Sequence, residues 1–318
     1  MKTFDEIYEE LQNADNEELK NAWEEARKES KRTRNISLII CTIIDIIAIM
    51  MFNGNKITSA LPFAILPMII TVFVINMFVV LIVNLLFGKN KNKYNLKYKQ
   101  IVINKIMSNF YDNLEYFPLK PMPEYIYKQG NYNEYYNIYL SEDYFEAQID
   151  QKHSIQMAEV RTVKEETYRD SDGNTKTRRI TKFHGLFGKI EMNKSINNQL
   201  KITQNGKVTR KNKLNMDSSE FEKYFDVQAS NKIVGMQLLT SDVMEELIEF
   251  QNKTNMRYDI FINNNELYLR FHSGGMFEAG KLKKGTIDKE ILRKYYYMLN
   301  FAYNLSNRII KLIHETEI

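Results

Sequence analysis

Two apolar stretches near the start of the chain, Ile36 to Phe52 and Ala60 to Phe87, constrain the fold more than any other feature. At ~1.5 Å per residue, a helix over the first covers roughly 25 Å and one over the second about 40 Å, against a hydrocarbon core of ~30 Å. The polar piece Asn53-Gly54-Asn55-Lys56 separates them. This predicts a two-helix transmembrane hairpin over 35–88, with spans at 36–52 and 60–87. A cleaved leader fits poorly, because more than thirty mostly polar, acid-rich residues come first. Pro62 and Pro67 are expected to kink the outer end of the second span.

The flanks set the direction. Lys28, Lys31, Arg32 and Arg34 precede the first span and Lys89, Lys91, Lys93, Lys97 and Lys99 follow the second, whereas the connecting loop offers only Lys56. The positive-inside bias puts both termini in the cytoplasm of a multi-pass plasma-membrane protein. Cys41, the single cysteine, rules out a disulfide within one chain and fits a reducing compartment. A net charge of +4 over 318 residues gives no reason to expect nucleic acid.

Asp45 interrupts the first span ten residues from Asn35, which is about 15 Å in and near the bilayer midplane. Asn76, twelve residues back from Gly88, reaches a similar depth. A bond between Asn76 and a protonated Asp45 would lower the cost of burying both. The pair is expected to act as packing glue, within the hairpin or between copies of it. The rival expectation is a small transporter or channel component using Asp45, against which stands that a pathway needs more polar positions than Asp45, Thr42, Thr71 and Asn76 supply.

In residues 1–34, Phe4, Ile7, Tyr8 and Leu11, then Leu19, Ala22, Trp23 and Ala26, follow helical spacing, with Asp15 as an N-cap between the two sets. The second amphipathic helix is expected to run into the first span. Acidic faces favour packing on protein over an anionic leaflet. Residues 89–116 are expected to form a helical connector, on the stripe Tyr98, Val102, Ile106, Phe110 and Leu114, and "PLKPMPEY" marks the boundary of a cytosolic domain at 117–318. There the pattern turns to period two. "YFEAQID", "SIQMAEVRTVKEETY" and "TKTRRITKFHGLFGKIEM" predict strands, the last two as a hairpin across "DSDGN". Shorter strands are expected at 199–204 and 225–229, a helix at 241–252, a second hairpin turning at Asn263-Asn264-Asn265, and a long helix at 287–314. The fold class is α+β, a cytosolic antiparallel sheet with flanking helices behind the hairpin.

The hairpin followed by "FHGLFGKIEMNK" at 183–194, "SSEFEKYFDV" at 218–227 and "LLTSDVMEEL" at 238–247 resembles the bacterial membrane proteins of the domain of unknown function 3137 family. Gly235 and Met236 stand where that pattern has an Ala-Arg pair. The resemblance implies a membrane protein with a cytosolic domain and a LemA-type membrane protein as partner. It brings no activity, cofactor or catalytic residue.

Motifs that carry chemistry are weak. "GMFEAGKL" at 275–282 matches a phosphate-binding loop except at Leu282, where Ser or Thr is needed for magnesium. "DSDGN" lacks the glycine position and the glutamate of a calcium loop, so a hairpin turn explains it. His153, His184, His272 and His314 are scattered without metal-ligand spacing. Glu142 with Asp143, or Glu245 with Glu246, are adjacent acids of the kind that usually decorate a surface. Lys176, Arg178, Arg179 and Lys182, with Lys281, Lys283 and Lys284, form basic runs that suit a leaflet or a partner.

The sequence therefore predicts a membrane-anchored cytosolic interaction or sensing protein, expected not to be an enzyme, with no catalytic, metal or cofactor residues assigned. Its expected partners are the lipid bilayer, a protein of LemA type and a second copy of the chain. The alternative is an enzyme with a dispersed site on the cytosolic sheet around His184 and His272.

Overall fold

The computed structural model describes residues 1–14, 16–54, 65–87, 89–132, 134–196, 198–204 and 213–315. Asp15, Pro62, Gly88 and the loop residues 55 and 56, with the cap and the turn expected there, lie outside them. The chain divides into two compact units. One comprises Ala14–Tyr98 and Ala279–Asp288, and the other Met1–Asn13, Lys99–Glu278 and Lys289–Ile318.

The first unit is helical. Its helix α2, Glu17–Gly54, runs 38 residues without a break, because neither Gly nor Pro falls inside it before Gly54. Its first half buries Leu19, Ala22 and Ala26, a three-to-four-residue stripe. That stripe faces α4, Lys89–Tyr98, which buries Tyr94 and Tyr98. The ion pairs Lys97–Glu18 (2.7 Å) and Lys93–Glu25 (3.1 Å) line the same seam. The second half exposes Leu38, Ile39, Ile43, Ile46 and Ile47. Among the described residues α2 is the helix that is long and apolar enough by itself to cross a membrane. Helix α3, Ile65–Phe87, lies against it and exposes Ile69, Ile70, Phe73 and Phe78. The segment Ala279–Asp288, with a 3-10 turn at Leu282–Lys284, joins this unit through Trp23 Nε1, which donates to the Leu282 carbonyl (3.0 Å), and the Tyr94 hydroxyl, which donates to Thr286 (2.6 Å).

The second unit opens with α1, Phe4–Asn13, which buries Phe4, Ile7 and Leu11. Phe4 meets Tyr296 edge-on at 5.7 Å, so this helix packs on protein. After α4 the chain makes a π-helical turn at Lys99–Ile103 and a short α5, Asn104–Met107. Here the structure corrects the helical connector expected over 89–116: helix ends at Met107, and Asp112–Phe117 is strand β1. Phe110 and Leu114 do keep helical spacing, but β1 bonds along the edge of the sheet, and that long-range pairing outweighs local pattern.

The remaining elements are α6 (Glu124–Gln129), β2 (Ile138–Gln148), β3 (Ser154–Arg169), β4 (Thr175–Glu191), β5 (Gln199–Gln204), β6 (Lys213–Leu214), α7 (Phe221–Tyr224), β7 (Phe225–Ala229), α8 (Lys232–Leu238), α9 (Ser241–Thr254), β8 (Tyr258–Asn263), β9 (Glu266–Phe271) and α10 (Lys289–Glu315). Among the described residues nine strands form one antiparallel sheet in the order β1-β2-β3-β4-β9-β8-β5-β7-β6. The fold class is α+β, as the alternating strands and outer helices predict. Strand alternation gives the sheet two faces. Glu159 pairs with Leu186 and Leu186 with Phe271, so these share one face, on which Phe271 meets Phe250 of α9 and Phe301 of α10. Phe183, Phe187 and Tyr268 project to the other, under Ile126 and Tyr127 of α6.

Candidate functional site

A cleft of about 610 Å³ opens at the β2, β3 and β4 part of the sheet, lined by Leu140, Ser141, Glu142, Glu159, Arg161, His184, Gly275 and Glu278. Three irregularities of the backbone build its walls. The β2–β3 register slips between Glu142 and Phe145, and Asp143 takes a left-handed φ of 56°. Such a bulge re-aims side chains that a flat strand would send to opposite faces. The π turn carries Lys99 inward to 3% exposure. Beyond β9, Gly274 (φ 72°) and Phe277 (φ 58°) fold the chain back, so that Met276 N–H donates to Glu159 (2.6 Å). Gly185, next to His184, is required, because a Cβ there would lie 1.9 Å from the Phe271 carbonyl oxygen.

Lys99 is the centre of the charge arrangement. Its ammonium contacts Asp143 (2.8 Å), Glu278 (2.8 Å) and Glu142 (3.3 Å), and the Tyr116 hydroxyl donates to the other Asp143 oxygen. Burial works against the charge on Lys99, but Asp143 and Glu278 outweigh it and hold the ammonium protonated. Burial pushes the wholly buried Asp143 carboxyl up to about 7, against the pull of Lys99 and of the Tyr116 hydroxyl. Glu159, also buried, binds His184 Nε2 at 3.0 Å. Burial raises its pKa too, opposed by the Met276 N–H and His184.

The carboxylate oxygens of Glu142, Asp143 and Glu159 lie within 4.8 Å of one another, a spacing suited to a metal ion. Their existing partners argue otherwise. Lys99 already brings a cation to two of them, and the third holds His184 and an amide. Nor does Ser141 offer a nucleophile, since its hydroxyl donates to the Glu159 carbonyl (2.8 Å) and accepts from Met122 N–H (3.0 Å). What remains is a polar cleft with a guanidinium, an oriented imidazole and two partly exposed carboxylates.

His272 lies elsewhere. Arg270, one residue before Phe271, and its strand partner Asp259 project to the face opposite Glu159, and His272 Nε2 is bonded to Asp259 at 3.0 Å. Arg270 is buried between Asp259 (2.7 Å) and Glu134 (3.0 Å), with its guanidinium 3.9 Å from the Tyr132 ring centroid. Burial alone would raise Asp259, but His272 and Arg270 hold it down at about 2. The two histidines named from sequence therefore serve separate constellations.

Asn76 Nδ2 donates to Asp45 Oδ1 at 2.9 Å, which joins the two polar residues that the sequence sets at similar depth in the apolar stretches. Lys176, Arg178 and Arg179 lie exposed on the outer part of β4 and Lys182 is half-buried. Lys176 is paired with Asp170 (2.8 Å) and Arg179 with Glu165, and Arg178 stands opposite Glu166. Lys281, Lys283 and Lys284 belong to the helical unit, where Lys284 pairs with Asp288 (3.3 Å). "DSDGN" is a turn in which Asp170 accepts the N–H of Asp172 (3.0 Å) and Asn174 (2.9 Å). Of the cleft, sequence reading singled out Glu142, Asp143 and His184 and missed Lys99, Glu159, Arg161 and Glu278. One signal was present: Glu159 occupies the core register of Ile155 and Met157, and an unpaired charge is not tolerated there.

The model of a family described as "Protein of unknown function (DUF3137)" matches residues 181–310, a stretch that includes His184, Arg270 and Glu278. No curated protein and no solved structure matches the chain.

Proposed function

We propose, for a chain that belongs to this family through residues 181–310, a membrane-anchored sensing protein whose sheet unit binds a small zwitterionic ligand in the cleft. The observation that carries the reading is Lys99. It is the first residue of the sheet unit after α4, and it is held by the same carboxylates that line the cleft. A ligand cation drawn to Glu142 and Glu278 competes with Lys99, while a ligand anion is matched by Arg161 and His184. Occupancy then loosens or tightens the turn through which the sheet unit continues from its anchor.

In this reading α2 and α3 form a hairpin that crosses a bacterial plasma membrane twice, with both termini cytoplasmic and the Asp45–Asn76 bond fastening the two spans. A LemA-type protein is the proposed partner. Single cysteines at Asn55 and Ile318, in a Cys41→Ser background, test the topology: the first should react with an impermeant reagent from outside and the second should not.

The binding claim is tested by melting the full-length protein in nanodiscs with small zwitterions, anions and cations. A zwitterion should raise the midpoint, and Arg161→Ala should abolish the shift; a panel without any shift contradicts the proposal. The His184–Glu159 pair favours a second reading, an enzyme that uses His184 as a general base. Turnover of an ester, nucleotide or peptide that disappears in His184→Ala would establish that reading instead.

A further inference from the structure

His153 and His314 are 161 residues apart in the chain, yet their Nε2 atoms lie 3.3 Å apart. His153 is buried where the β2–β3 turn ends, and His314 is exposed in the last turn of α10. Asp150 fixes the His153 ring from behind. Its carboxylate meets Nδ1 at 2.8 Å and also accepts the backbone N–H of Lys152 (2.7 Å) and of His153 (2.8 Å). A proton on Nδ1 leaves the lone pair on Nε2, directed at His314. The ring planes are inclined at 61° with centroids 5.4 Å apart, so the rings converge through their nitrogen edges rather than stack.

Two zinc–nitrogen bonds of about 2.0–2.1 Å meeting at the tetrahedral angle place their nitrogens roughly 3.3–3.4 Å apart. The pair has this spacing without any side chain moving. A carboxylate behind a ligating histidine is the recurrent arrangement that fixes its tautomer and strengthens its free nitrogen as a donor. The end of α10 adds carbonyl dipoles that favour a cation. Lys194, the ammonium at this corner, donates to the Ile313 carbonyl (2.7 Å).

We propose that His153 and His314, backed by Asp150, bind one borderline divalent cation, Zn²⁺ foremost, with water completing the coordination. The bound ion ties the β2–β3 turn to the end of α10. In its absence the two rings hydrogen-bond to each other, and binding displaces the proton between them.

The test is titration of untagged full-length protein in detergent with Zn²⁺ alone, followed by calorimetry. One ion per chain is expected. His314→Ala should remove the binding, Asp150→Asn should weaken it by roughly 10–100-fold, and Cys41→Ser should leave it unchanged. Cu²⁺ on the unaltered protein, read by electron paramagnetic resonance, should show two imidazole nitrogens, a result that needs no variant to fold. No binding up to millimolar Zn²⁺, a His314→Ala protein that binds like the parent, or a copper spectrum without two imidazoles would each overturn the site and leave only a ring-to-ring hydrogen bond.

Discussion

Asp143 on β2 and Asp259 on β8 are both buried and both held by a basic side chain, yet their acidities move in opposite directions. Asp259 Oδ2 receives Arg270 Nε (3.0 Å) and Nη2 (2.7 Å) together with His272 (3.0 Å). A guanidinium cannot lose its charge, and its planar fork is already set for a carboxylate. Asp143 has one ammonium, shared with Glu142 and Glu278, and the nearby Glu142 charge adds to the cost of ionising it. The first arrangement seals a core. The second leaves its charge balance open to whatever enters the cleft.

The largest expected effect follows from removing each base. Arg270→Met leaves buried Asp259 with His272 alone, removes the cation beside half-buried Glu134, and should cost about 3–5 kcal/mol of unfolding free energy. Lys99→Met should cost less, about 1.5–3 kcal/mol, because Asp143 takes up a proton and stays neutral. Denaturant unfolding of both variants at neutral pH checks the order; the reverse order would break the contrast between the two pairs.

Next in size is the pH dependence. An unfolded aspartate titrates near ~3.9, so the folded state holds a proton on Asp143 that the unfolded chain has lost between there and about 7. Its contribution is complete below that window and is lost as pH rises through about 7. For Asp259, depressed to about 2, the contribution is present above the unfolded value and is lost as pH falls toward about 2. Stability measured against pH should therefore lose its neutral-side slope in Asp143→Asn and its acid-side slope in Asp259→Asn. If each slope survives its own substitution, the assignments are wrong.

The smallest effect belongs to Asp45, whose partner is a neutral amide. A double-mutant cycle of Asp45→Leu with Asn76→Leu should give a coupling of about 0.6 kcal/mol, a typical value for hydrogen bonds between helices in a membrane. A coupling several times larger would mean that Asp45 belongs with the charged pairs rather than with packing.

Much of the fold was legible because its strands are long and bounded by turn residues. The β3–β4 hairpin is marked by two long runs on either side of "DSDGN", exposed in their outer part and buried on both faces nearer the core, and Asn263-Asn264-Asn265 announces the turn between β8 and β9. The cleft was not, since its parts have no local signature. A π turn at Lys99, a bulge at Asp143 and a backfolded loop at Phe277 arise from long-range pairing, and each acts on a residue that looks ordinary in sequence. "GMFEAGKL" drew notice for phosphate chemistry it lacks the residues to perform. Its real part is to supply the Met276 amide and Glu278 to the cleft wall. His153 and His314 illustrate the same limit, since spacing along the chain says nothing about ligands that tertiary structure brings together.

Amide hydrogen exchange of the full-length protein in nanodiscs probes most directly whether the cleft carboxylates hold the chain where it enters the sheet unit at Lys99. In a Glu142→Gln, Glu278→Gln variant, exchange over residues 99–103 should quicken markedly while that of α9 stays unchanged, because Lys99 keeps Asp143 alone. Protection over 99–103 equal to that of the parent would contradict the account.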